Sequence, residues 1–218
     1  KAMVAYQEEV RDPKRIAEVL NRVITKAKRM SAPAQINIPR DIWTQVVDID
    51  LPEIIEFELP AGGTDAISSA AKILSDAKFP VILNGAGVIL GNAIPASQTL
   101  AERLDSPVCC NYQHNDAFPG SHPLFVGPLG YNGSKAAMEL IKQADVVLAL
   151  GTRLNPFSTL PGYNLDYWPN EAKLIQVDIN PDRIGLTKPV TVGIVGDSKQ
   201  VAEQILSRLT DSAGDAGR

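Results

Sequence analysis

"VILNGAGVILGNA" occupies residues 81–93, and its reading decides that of the whole chain, because a run of apolar residues passes directly into a glycine turn. A buried strand ending in such a turn is how many nucleotide-binding α/β domains begin. The glycines are Gly85, Gly87 and Gly91, which gives G-x-G-x-x-x-G, one residue longer than the dinucleotide fingerprint. Two readings are open. Either the glycines admit a phosphate to the backbone, or they only let the chain turn sharply where a strand ends.

On both sides of this turn apolar runs alternate with helical periods. The pattern predicts helices over 64–77, 94–104, 133–143 and 198–209, and strands over 81–83, 107–110, 146–150, 174–179 and 190–195. Runs such as "VVLAL" are apolar throughout, as parallel strands are when helices cover both faces of their sheet. Residues 64–210 therefore read as one doubly wound, mainly parallel α/β domain. The tail "TDSAGDAGR" is expected to fray, which leaves 211–218 as a disordered end.

The N-terminal part does not fit that domain. Asp12 can cap a helix that Pro13 opens, and Ile16, Val19, Leu20, Val23, Ile24 and Ala27 repeat at helical spacing up to about Arg29 or Met30. "AQINIP" then alternates as a strand closed by Pro39. A lone α-β unit has no second layer to cover its apolar face, so residues 1–45 read as the end of a domain that begins elsewhere. Residues 46–63, "VVDIDLPEIIEFELPAGG", carry prolines, acids and Gly-Gly without a helical period, and read as a linker.

Composition narrows the function. Residues 1–30 hold 8 Lys or Arg and 4 Asp or Glu, which leaves 13 basic and 21 acidic residues in the remainder. The cations lie on the polar face of one amphipathic helix without aromatic residues to stack bases, so a nucleic-acid partner is not expected. No run approaches the roughly 20 apolar residues of a membrane span and no leader pattern is present, so a cytoplasmic protein is expected. Cys109 and Cys110 are adjacent in an apolar run, which points their side chains to opposite faces of a strand as free thiols. No C-x-x-C, H-E-x-x-H or P-loop pattern occurs, so no metal site is expected. Of the two histidines, Ser121-His122-Pro123 reads as a turn, and His114 lies in a long loop after a strand.

In sheets of this type ligands sit beyond the carboxyl ends of the strands. Those ends read "NGAG" (84–87), "NYQHNDAFPG" (111–120), "GTRLNPF" (151–157) and "DINP" (178–181). Gly85 and Gly87 allow a close approach, Arg153 can hold a phosphate bidentately, and Asp178 can accept from a ribose or an adenine amine. Arg153 can equally pair with Asp178 or Asp145, and Asp178 can cap the turn before Pro181.

Taken in order, "AQINIPRDIW", "AFPGSHPLFVGPLGYNGSKAAMELIKQADVVLALGTRL", "LIQVDINPDRIG" and "VGIVGDSKQV" resemble the thiamine-diphosphate-dependent enzymes of the acetohydroxyacid synthase and pyruvate oxidase type. The resemblance covers nearly the whole chain. It implies that 1–45 closes a pyrimidine-binding domain and that 64–210 is a six-stranded, Rossmann-like central domain. It also implies that the activating glutamate and the magnesium-diphosphate motif belong to domains outside this sequence, so the thiamine diphosphate and magnesium of the parent enzyme would be bound there. Relatives hold FAD or an ADP-like nucleotide in the central domain, or nothing, and Gly85, Gly87, Arg153 and Asp178 take the matching motif positions. The proline-bearing "NPFSTLPG" after Arg153 departs from flavin-binding relatives and places an empty or ADP-like domain before FAD. The loop 112–118 matches the region that reaches the reacting centre, which makes Gln113, His114 and Asn115 candidate substrate-side contacts.

Within the family, residues 6–52 and "GTRLNPFSTLPGYNLDYWP" are most similar to an acyltransferase. In the implied reaction sulfoacetaldehyde loses sulfite and its acetyl group passes to phosphate. The parent would be a dimer or tetramer acting on a small molecule, and the isolated fragment inactive. An acetolactate synthase-like 2-oxo acid enzyme and a flavin- or ADP-binding module without thiamine chemistry are the alternatives. A sirtuin-like deacylase would need four zinc ligands that two cysteines cannot supply.

Overall fold

The structure is a computed structural model that describes residues 3–53 and 58–210. The chain divides into two compact units, Lys1–Glu58 and Leu59–Arg218. The expected tail at 211–218 and part of the expected linker lie outside the described residues.

In the first unit, strand β1 (Tyr6–Glu9) leads through a short 3-10 turn into helix α1 (Ile16–Met30), and strand β2 (Ala34–Asn37) returns parallel to β1. The orphan α-β unit is thus corrected to a β-α-β unit. Tyr6–Glu9, "YQEE", is short and rich in carboxylates, so its sequence gives little strand signal. Asp12 caps the turn as expected, accepting from the Lys14 amide at 3.0 Å. Val10, Val19, Val23 and Ile42 form the buried core of this unit, yet Leu20 and Ile24 remain 43% and 46% exposed. The apolar stripe of α1 is wider than this unit's own core covers.

The second unit runs α2 (Thr64–Ser75), β3 (Pro80–Asn84), α3 (Ala86–Leu90), α4 (Ile94–Leu104), β4 (Val108–Asn111), β5 (Phe125–Leu129), α5 (Lys135–Ile141), β6 (Val146–Leu150), β7 (Lys173–Asp178), β8 (Val192–Val195) and α6 (Ser198–Leu206). Its six strands are all parallel in the order β5-β4-β3-β6-β7-β8. Strand β5, absent from the sequence reading, contains Gly127 and Pro128, residues that argue against a strand. It lies at the sheet edge, where proline is tolerated.

Every residue of β3 and β6 is buried. On one face Ile82, Leu148 and Ile175 pack with Ala70 of α2, Leu100 of α4 and Val201 of α6. On the other, Val81, Leu83 and Val147 pack with Met138 of α5 and with Tyr167 from the irregular segment after β6. Cys109 and Cys110 belong to opposite faces and are free. Burial raises both thiols, that of Cys110 to about 12, which leaves them un-ionised.

Truncating the centre of β6 tests this packing. Leu148→Ala removes a fully buried side chain and is expected to cost about 2–5 kcal/mol, whereas Leu90→Ala at an 83% exposed position should stay within about 0.5 kcal/mol. Urea unfolding midpoints of the two variants measure the difference.

Candidate functional site at the carboxyl edge of the sheet

The chain builds β4 and β5 on one side of β3 and then crosses to build β6, β7 and β8 on the other. The strand order therefore reverses between β3 and β6, where a ligand crevice forms in open α/β sheets. The glycine turn follows β3 at this point, and "GTR" follows β6.

The turn is closed upon the protein itself. The Gly85 amide donates to the Leu150 carbonyl at 3.0 Å, Gly87 to the Gly151 carbonyl at 2.9 Å, and Gly91 to the Gly87 carbonyl at 3.0 Å. A Cβ on Gly85 would lie 2.5 Å from Thr152 Cβ and 2.6 Å from the Gly151 carbonyl oxygen. One on Gly87 would meet Gly151 Cα at 2.7 Å, and one on Gly91 would meet Asp197 Oδ2 at 2.7 Å. Asp197 is itself the cap of α6, its Oδ1 accepting from the Lys199 and Gln200 amides at 3.1 Å. Donors that a pyrophosphate would need at Gly85 and Gly87 are spent, and protein atoms face the space that the missing side chains leave. This turn does not fit a dinucleotide phosphate.

Around it, polar residues at the strand ends tie the loops together. Asn84, fully buried, donates from Nδ2 to the Ala117 carbonyl at 3.0 Å and exchanges hydrogen bonds with Ser97. Asn111 Nδ2 donates to Thr152 Oγ1 at 2.8 Å. Gln176, 1% exposed in the middle of β7, donates to the carbonyls of Thr152 and Arg183 and accepts from the Gly185 amide at 2.8 Å. None of these residues was singled out from sequence. Their signal was available, since "VILN" and "VCCN" each end an apolar run in asparagine, and "LIQVD" holds one amide inside a strand.

Arg153 is exposed, one residue beyond Thr152. Asp178 is 5% exposed at the end of β7 and accepts from the Asn180 amide at 2.9 Å, so it does cap the turn before Pro181. Its ion-pair partner is Arg183, at 3.8 Å, instead of either arrangement considered for Arg153. Asp145, the other partner considered, accepts from the Lys78 and Phe79 amides. Burial raises the Asp178 carboxyl above the usual aspartate range, opposed by the Asn180 amide and by the charges of Arg183 and Arg153. Gln113 and Asn115 are exposed and His114 is half-buried in the loop after β4. His122 is a turn residue whose amide donates to Pro119 and whose ring bonds Glu102 at 3.1 Å. The structure thus gathers Gly85, Gly87, Arg153, Asp178 and the loop 113–115 at one edge, with the glycines sealed and the loop tip open. Among the described residues no group of three His, Cys, Asp or Glu side chains could hold a metal ion, and no helix is long and apolar enough to cross a membrane.

A parallel sheet of this order, with its loops gathered at the switch between β3 and β6, is a doubly wound α/β domain. The family model of the thiamine pyrophosphate enzyme central domain matches residues 67–205, and the chain belongs to that family. It is 75% identical to the sulfoacetaldehyde acetyltransferase of Roseovarius nubinhibens over 100% of this chain and 36% of that protein. A probable sulfoacetaldehyde acetyltransferase of Rhizobium meliloti is 76% identical over 99% of this chain and 36% of its own length. More distantly, a probable acetolactate synthase large subunit of Methanocaldococcus jannaschii is 33% identical over 92% of this chain and 35% of its own. The chain spans about a third of the length of these curated relatives. Among solved structures, benzoylformate decarboxylase from Polynucleobacter necessarius has the same fold, with a TM-score of 0.76 at 22% identity, over 96% of this chain and 39% of that one.

Two outcomes follow from the geometry. Gly85→Ala drives a Cβ into backbone and a buried threonine and should cost about 1–3 kcal/mol or more; Gly120→Ala, with nothing within 4 Å of the new carbon, should be close to neutral by thermal unfolding. Because the folded carboxyl of Asp178 is raised, its favourable share of stability is complete below the unfolded value near 3.8 and is lost as pH rises through the folded value. The stability of the unaltered chain relative to Asp178→Asn should therefore fall as pH increases from 3.8, as measured by denaturant titration across that interval. A flat difference would contradict the assignment.

Proposed function

We propose that this chain is the central part of a sulfoacetaldehyde acetyltransferase, which converts sulfoacetaldehyde and phosphate to acetyl phosphate and sulfite. The observation that carries the reading is identity of 75% and 76% with relatives of that name across the chain, against 33% for the acetolactate synthase relative. In this reading thiamine diphosphate supplies the nucleophile and electron sink when bound. It is held with magnesium by the remainder of the pyrimidine-binding domain and by the diphosphate-binding domain of the same enzyme, in a cytoplasmic homo-oligomer.

The role of the central domain is then mechanical. Its sealed glycine turn supports a scaffold more than a flavin or ADP holder, with exposed Arg153 the strand-end residue best placed to reach a nucleotide. The loop tip supports a second role. Gln113, His114 and Asn115 are polar, project from the carboxyl edge and contribute little to the core, so we assign them to the substrate side, where they orient the substrate or move a proton.

The experiment is sulfite release by the full-length polypeptide supplied with thiamine diphosphate, magnesium, phosphate and sulfoacetaldehyde. Turnover is expected there and none from residues 1–218 alone; decarboxylation of 2-oxo acids with no sulfite would assign the chain to the acetolactate synthase side instead. In the active polypeptide, His114→Ala should lower turnover more than it lowers the melting temperature, because only contacts that tighten in the transition state alter the chemical step. Titration calorimetry with ADP and FAD should give no heat that depends on Gly85 or Gly87.

A further inference from the structure

The loop that carries Gln113, His114 and Asn115 is pinned at both ends by buried amides from neighbouring strands. At its start, Asn111 ends β4 at 7% exposure, its carbonyl accepts from the His114 amide at 2.8 Å, and its Nδ2 crosses to Thr152 Oγ1 beyond β6. Strand β3 lies between β4 and β6, so this clasp passes over its end, where only a glycine leaves room: a Cβ on Gly85 would strike Thr152. At the far end, the Ala117 amide donates to the His114 carbonyl at 3.0 Å, and the Ala117 carbonyl accepts from Asn84 Nδ2. Phe118 follows, 1% exposed.

One detail marks the clasp as more than filler. Asn111 Oδ1 is buried with no partner among the described residues, a cost that a strand-end valine or threonine would avoid. Such a group calls for an explanation, and the bond that the same side chain makes offers one. Only the Nδ2 bond to Thr152 uses the side chain, and that bond fixes where the loop leaves the sheet.

We infer that Asn84 and Asn111 are positioning residues, which hold the polar tip 113–115 in place through Ala117 and Thr152 without touching substrate themselves. The inference rests on the substrate-side reading of that tip for its catalytic consequence, but the positioning is testable by itself. Thr152→Val keeps the shape and removes the acceptor, Thr152→Ser keeps the acceptor, and Asn111→Ser removes both the clasp and the partnerless oxygen, so it guards against a Thr152→Val protein that fails to fold. Hydrogen exchange in the full-length polypeptide should accelerate about tenfold at the His114 and Ala117 amides in Thr152→Val and Asn111→Ser, return with Thr152→Ser, and leave Val147 of β6 unchanged. Turnover should fall about tenfold or more with the first two, as expected for a displaced contact, and recover with the serine at position 152. Unchanged exchange at His114 and Ala117, or equal acceleration at Val147, overturns the positioning role. Exchange that accelerates at the loop while His114→Ala and Asn115→Ala retain full turnover keeps the positioning and overturns the substrate-side reading.

Discussion

The second unit depends on one close approach: the backbone of Gly85 and Gly87 against that of Gly151 and Thr152. Two strand ends separated by 66 residues of sequence, Asn84 and Leu150, meet here with no side chain between them, and the Gly151 amide carries the contact on to the Val177 carbonyl of β7 at 2.9 Å. Without that approach β3 and β6 could pair along their length but not at their ends, and α6 could not bring Asp197 against Gly91. The glycines are required because backbone and a buried threonine fill the positions that their side chains would take. Gly151 adds a positive φ of 62°, which few other residues accept.

Around this joint the sheet's carboxyl edge sorts into a fixed part and an open part. Gln176 and Asn84 are amides that donate to loop carbonyls from inside the fold, Asn111 donates to the Thr152 hydroxyl, and each bond spends a buried donor on the placement of a loop. Asp178 belongs to the fixed part as well, since it caps its own turn and faces Arg183. Arg153, Gln113 and Asn115 are open to solvent, with His114 half-buried between the last two. In the proposed enzyme, a central domain built so would hold a substrate-side loop still while the cofactor carries the reaction.

Much of this was legible in the sequence, for identifiable reasons. Strands 146–150 and helix 94–104 were read with the bounds that β6 and α4 have, because continuous apolar runs and helical periods report burial on two faces and one face respectively. Strands β1 and β5 escaped. The first carries two glutamates and the second a Gly-Pro pair, so local propensity opposed what parallel pairing with β2 and β4 imposes. The G-x-G turn was legible as a turn but not in its purpose: spacing cannot tell a glycine that faces phosphate from one that faces Gly151. The clasp between Asn111 and Thr152 spans 41 residues and depends on strand order, which no local pattern encodes.

The most direct measurement is a crystal structure of the full-length polypeptide with thiamine diphosphate bound. Gln113, His114 or Asn115 is expected to border the thiamine ring or the substrate beside it, with Asn111 still bonded to Thr152 and the glycine turn closed on Gly151. A loop 112–118 turned away from the cofactor, or a nucleotide phosphate seated against Gly85 and Gly87, would contradict that expectation.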